Sequence, residues 1–262
     1  RRRVRRAGRP ALIPAFDPAD ALLVSAIFAL GGLVKGVAGF GLPTVGLGLL
    51  ALSRPLPEAM ALMLLPTIAT NVWQALAGGA MRETLGRLRW FLLAAGAGTL
   101  LTAGAISKAD ARALTGLLGA LLVVSSSLAL FGPRWPAPSP RRERWLSPVM
   151  GGLSGTLAGL TGSFITPAAP WLSALRLPPD VFVQGFGLGA VVATACLAVA
   201  LAGQGLLPPG LGFASVAVLA PTFAGMAAGR ALRKRLSEAR FRRVVQWCLL
   251  MLGAYLAARS IS

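Results

Sequence analysis

Gly31-Gly32-Leu33-Val34-Lys35-Gly36-Val37-Ala38-Gly39-Phe40-Gly41-Leu42-Pro43-Thr44 decides the fold class. The stretch lies inside an apolar run of about residues 20–52. A membrane helix needs about 20 apolar residues to cross roughly 30 Å at a 1.5 Å rise per residue, so this run is too long for one crossing. Dense glycine and Pro43 in mid-run explain the excess length. The run is expected to break or re-enter. A second stretch, Gly151-Gly152-Leu153-Ser154-Gly155-Thr156-Leu157-Ala158-Gly159-Leu160-Thr161-Gly162-Ser163, reaches Pro167 inside another over-long run, about 145–175. GGL and then AG recur in it at an offset of 120 residues.

Outward from these two stretches, the apolar runs fall at about 20–52, 57–79, 88–107, 111–132, 145–175, 180–203, 209–230 and 241–259. Breakers separate them, among them Ser53-Arg54-Pro55, Gly78-Gly79, Gly132-Pro133, Pro208-Pro209-Gly210 and Arg233-Lys234-Arg235. The expected fold is an all-α integral membrane protein of about eight segments in two repeats, with segments 1 and 5 broken or re-entrant. Its parts are a basic tail (1–19), a first four-segment repeat (20–132), a Pro/Arg-rich loop (133–144) and a second repeat (145–262).

Composition agrees. Of 262 residues 55% are hydrophobic and 13% charged, against about 25% charged in soluble proteins. Lipid is the expected solvent. Lys and Arg total 26 against 8 Asp and Glu, but the cations cluster between apolar runs, as cytoplasmic loops require, so no nucleic-acid partner is expected. There is no histidine, and Cys196 and Cys248 both lie within apolar runs. A disulfide framework, a metal site and a cofactor therefore have no support. Arg1-Arg2-Arg3-Val4-Arg5-Arg6 before an apolar stretch resembles a signal sequence, but seven further apolar segments follow, which favours a membrane domain.

Charge tests the topology. With eight simple crossings, the cations divide 14 to 11 between the two sides. Re-entry of the fifth segment alone gives 21 to 4. Re-entry of both long segments gives 15 to 4 outside the N-tail, whose six arginines then fall on the poorer side. Double re-entry would make the halves inverted repeats, the arrangement of many transporters.

A broken helix at the bilayer midplane offers free N–H groups and partial positive charge to an anion. Gly39, Gly41 and Thr44 supply such parts once, and Thr161, Gly162, Ser163 and Thr166 supply them again. Lys35 is the one ionisable residue deep in an apolar run, where an unpaired charge costs at least ~2.5 kcal/mol. It either attracts an anion or snorkels to the interface. Asn71 and Gln74 lie three apart and either line a cavity or bond neighbouring helices. Gly32-x3-Gly36 and Gly151-x3-Gly155-x3-Gly159 also fit close helix packing, a use that leaves Gly39-Phe40-Gly41 and Thr161-Gly162-Ser163 unexplained. No acid lies in the middle of a span, which favours an anionic or neutral substrate over a cation. With no histidine and no clustered acids, a membrane enzyme is not expected.

The stretches GGLVKGVAGFG, PTIATNVWQAL and GGLSGTLAGLTGSFITP resemble those of the sulfite exporter TauE/SafE family, over about residues 20 to 260. This resemblance implies a transporter of small sulfur-containing anions such as sulfite or an organosulfonate across the inner membrane. It also implies coupling to an ion gradient, proton or sodium. A permease for an uncharged solute and a non-transporting assembly subunit are the alternatives.

Overall fold

A computed structural model describes residues 17–261 except 77, 78, 134, 208, 234 and 236. The N-tail through residue 16, Arg134 of the central loop, and the breakers Gly78, Pro208 and Lys234 lie outside the described residues. All regular structure among the described residues is helical: α1 (Pro18–Ala38), α2 (Leu42–Leu50), α3 (Leu56–Leu76), α4 (Met81–Ala103), α5 (Ala111–Phe131), α6 (Pro140–Thr161), α7 (Ile165–Ala174), α8 (Pro179–Gly203), α9 (Pro209–Ala217), α10 (Leu219–Arg233) and α11 (Glu238–Ile261). Seven stretches are long and apolar enough to cross a membrane, namely α1, α3, α4 with the turn after it, α5, α8, Gly212–Arg233 and α11. The 22-residue α6 is not among them. Its first turns carry Arg141, Arg142, Glu143 and Arg144. It begins five residues before the apolar run, because the Ser139 hydroxyl caps the amide of Arg142.

Large apolar side chains face outward, among them Leu101 (82% exposed), Trp145 (76%) and Phe213 (71%). Water would oppose such a surface and hydrocarbon accepts it. The chain is a multi-pass membrane protein.

Glycine sets the closest helix pairs. A Cβ on Gly32 would lie 2.2 Å from the Thr222 carbonyl oxygen, and one on Gly225 would lie 2.0 Å from that of Ala29. These contacts, with Gly36 and Gly229, press α1 onto α10. On α6, Gly151, Gly155 and Gly159 meet Phe91, Ala95 and Thr99 of α4 in the same way. The Thr99 hydroxyl donates to the Gly155 carbonyl across that contact, and Thr102 to Thr156. The spacing thus serves helix packing, as the GxxxG reading holds. In both pairs residue numbers rise together along the contact, so the partners run parallel.

Two arginines tie hairpin ends together. Arg54, just after α2, bonds Asp20 at the start of α1 and Glu58 in the first turn of α3. Arg87 bonds Glu143 at the start of α6 at 2.9 Å, and its guanidinium donates to the Leu175 carbonyl past the end of α7. Each pair α1–α2 and α6–α7 therefore starts and finishes near one place.

Proline places α9. Pro66 inside α3 has no N–H to give the Leu62 carbonyl. Ser215 of α9 donates to it instead, at 2.9 Å.

Candidate functional site

The two glycine-rich stretches both interrupt helices. α1 ends on Gly39 at φ +82°, Gly41 follows at φ +105°, and α2 starts at Leu42 with Pro43 in its first turn. α6 ends on Gly162 at φ +75°. α7 follows, but Thr166 has extended dihedrals (φ −115°, ψ 126°), so its regular turns begin at Pro167. A positive φ costs glycine little and other residues about 1–2 kcal/mol. The caps Gly39 and Gly162 lie 123 residues apart, whereas GGL recurs at 120. Sequence match and structural break differ by about one helical turn, and the residue matching Lys35 by position before the cap becomes Ala158.

Lys35 lies one turn before the first break and is 4% exposed. Its ammonium donates to Asn71 Oδ1 at 2.5 Å and to Thr70 Oγ1 at 3.1 Å, both on α3. It therefore does not snorkel to the surface. Among the described residues no carboxylate pairs with it. The Thr70 hydroxyl is itself spent on the Pro66 carbonyl at 2.7 Å.

These groups face a cavity of about 20 Å³, lined by Lys35, Gly41, Thr44, Thr67, Asn71 and Gly162, with Phe40, Phe164, Phe186 and Thr194 among the rest. Both breaks thus touch one space. Two features of its wall favour a negative guest. The Thr67 hydroxyl is buried and has no hydrogen-bond partner among the described residues. Gly41 and Thr44, at the start of α2, line the cavity too, and their amides are donors that the helix itself cannot satisfy. At this volume the cavity holds about one water.

A larger cavity of about 370 Å³ lies beyond Phe40, Thr44 and Ile165, which line both spaces. Its wall includes Thr166, Arg176, Arg242, Gln246 and Ser125, and no acid among the described residues. On another part of the molecule a cavity of about 470 Å³ is lined by Arg54, Arg112, Thr115, Arg259 and the end of α2.

Of the ten residues expected from the sequence, Lys35, Gly41, Thr44, Asn71 and Gly162 meet at the inner cavity, and Thr166 lines the vestibule. Gly39 forms the helix cap, outside the lining. Thr161 is fully buried, donates to the Leu157 carbonyl and accepts from the amide of Ser163, which removes that amide from a substrate's reach. The Ser163 side chain is buried beside it, outside the lining. Gln74 donates to the Val183 carbonyl of α8, an interhelical bond. Gln184 does likewise, to the Ala75 carbonyl, and accepts from Thr84. Sequence reasoning missed Thr67, Thr194 and the phenylalanines. Thr194 stands 123 residues after Asn71, the spacing of the two breaks, and that signal was readable once the caps were known.

Residues 24–256 match a family model described as Sulfite exporter TauE/SafE. No curated protein and no solved structure matched.

Proposed function

The chain belongs to the sulfite exporter TauE/SafE family, and on that premise we propose that it carries a small sulfur-containing anion, such as sulfite or an organosulfonate, across the inner membrane through the Lys35 cavity. Membership makes it a membrane transporter, the family suggests a sulfur-containing substrate, and the buried lysine supports a negatively charged one. One observation carries the proposal. A buried lysine, bonded to neutral groups only, shares a small polar cavity with an unpartnered threonine hydroxyl and the first turn of a broken helix. An oxyanion completes that set, because it accepts from every one of these donors and supplies the charge Lys35 lacks.

The architecture we propose is two inverted repeats, 20–132 and 145–262, joined by the 133–144 loop. Its support is in the packing. The first helix of each half lies on a late helix of the other, α1 on α10 and α6 on α4. The hairpins α1–α2 and α6–α7 are tied at their ends by Arg54 and Arg87 respectively. With both hairpins re-entrant, the cations outside the N-tail divide 15 to 4, and the richer side is cytoplasmic by the positive-inside rule. The vestibule of Arg176 and Arg242 then opens on that side and the Arg54–Arg112–Arg259 cavity on the other. Of the two coupling ions, a proton suits the residues better. Among the described residues no carboxylate lines the inner cavity to hold sodium, whereas Lys35 has an amine that can release a proton.

Binding of sulfite, sulfate, thiosulfate and sulfoacetate to the purified protein, measured by calorimetry beside neutral dimethyl sulfone, tests the reading. Anions should bind and the sulfone should not. Equal affinity for the sulfone would make the protein a permease for uncharged solutes.

A further inference from the structure

Seven of the chain's twelve threonines donate their hydroxyl to a carbonyl or amide oxygen, as threonine inside a helix often does. Among the described residues Thr44, Thr67 and Thr194 make no such bond, and all three are buried in the wall of the inner cavity. They come from three helices, α2, α3 and α8. Lys35 adds a fourth donor, since an ammonium carries three protons and Asn71 and Thr70 take two of them. Buried donors without partners are costly, so the set calls for an occupant.

Spacing gives Thr194 its place. Thr67 and Asn71 lie four apart on α3, and the residues 123 later, Ala190 and Thr194, lie four apart on α8 and line the same cavity. Where the first half puts Asn71, spent on Lys35, the second puts a hydroxyl that nothing among the described residues takes up. Thr67 and Thr194 also line a further space of about 10 Å³ beside Leu47, Met60 and Met63, and Thr44 also lines the vestibule. The inner cavity has room for about one water. An oxyanion is therefore seated only when these spaces join, and the threonines stand at the joins.

Resting on the anion-carrier reading, we infer that Thr44, Thr67 and Thr194 each donate to one oxygen of a three-oxygen head group, and that this trio makes the site prefer sulfite and sulfonates to carboxylates. A water offers two lone pairs to four donors, which leaves the set incomplete. A carboxylate turns both oxygens one way and leaves a hydroxyl facing carbon. A pyramidal sulfonate or sulfite presents an oxygen in each of three directions, and Lys35 supplies the opposite charge.

The test is calorimetry of the purified protein with methanesulfonate and acetate, singly charged anions that share a methyl group. Methanesulfonate should bind the native chain about tenfold more tightly than acetate. Thr44→Val, Thr67→Val and Thr194→Val keep the side-chain shape and remove the hydroxyl, and each should weaken methanesulfonate about tenfold. The triple valine variant should bind the two anions within about twofold of each other. Thermal midpoints should hold or rise in these variants, because an unsatisfied buried donor is removed, so damage to the fold cannot mimic the effect. Thr222→Val, whose hydroxyl bonds its own helix outside the cavity lining, should leave both affinities unchanged. Undiminished methanesulfonate affinity in the three single variants, or an undiminished preference in the triple one, would overturn the trio and leave the carrier reading in place. A native chain that binds neither anion would sink the carrier reading and this inference with it.

Discussion

Lys35 is held by two neutral acceptors, Asn71 Oδ1 and Thr70 Oγ1, in a place that water reaches poorly. Removing one partner from a buried hydrogen-bonded group costs the desolvation of the group left behind, roughly 1–3 kcal/mol and more for a charge. Replacing both with apolar side chains of similar shape is close to neutral. Asn71→Leu should therefore lower the thermal midpoint in detergent by several degrees, and Lys35→Met with Asn71→Leu should recover most of that loss. Gln74→Leu, one turn away on a half-exposed face, removes a single interhelical bond and should cost less than ~1 kcal/mol. Asn71 and Gln74 looked equivalent in the sequence. Their difference comes from which way α3 turns, and a three-residue spacing does not state that.

Among the elements, the glycines divide into two kinds. Gly155 and Gly225 admit the facing helix to within 2.0 Å of where a Cβ would stand, while Gly152 and Gly86 face open space. Gly155→Ala and Gly225→Ala should each cost about 1–3 kcal/mol through overpacking. Gly152→Ala and Gly86→Ala should be neutral or stabilise by roughly 0.5–1 kcal/mol, the helix-propensity gain. Thermal denaturation of the four variants in one detergent checks the contrast. Gly39→Ala belongs to neither kind: its Cβ would meet nothing, but φ +82° should still cost about 1 kcal/mol. The sequence showed both roles. GxxxG spacing marked the packing faces, and the tight Gly39-Phe40-Gly41 and Thr161-Gly162-Ser163 groups marked the breaks. It hid the break's position in the second half, because GGL matched one turn out of step with the caps. It also hid the true start of α6, where charged residues are helical and apolar periodicity gives no sign of it. Thr67 escaped notice because an isolated threonine in an apolar helix usually bonds its own backbone, as Thr99 and Thr161 do in part.

For the whole molecule, the proposed arrangement, with the two hairpins entering from opposite faces, predicts a definite sidedness. Arg112→Cys should label with an impermeant maleimide from one side, and Arg142→Cys, Arg176→Cys and Arg235→Cys from the other, in the Cys196→Ala and Cys248→Ala background. Labelling of positions 112 and 176 from the same side would end the inverted arrangement. The proposed anion site draws on both hairpins, since Gly41 and Gly162 line one cavity. Flux of radiolabelled sulfite into proteoliposomes, compared between the native chain and Lys35→Ala at equal reconstitution, tests the account most directly. Loss of a charge-assisted contact worth roughly 1.5–3 kcal/mol should lower the flux about tenfold or more, with the protein still folded. Flux unchanged by Lys35→Ala would contradict the account, because the cavity would then have no charge to offer the anion.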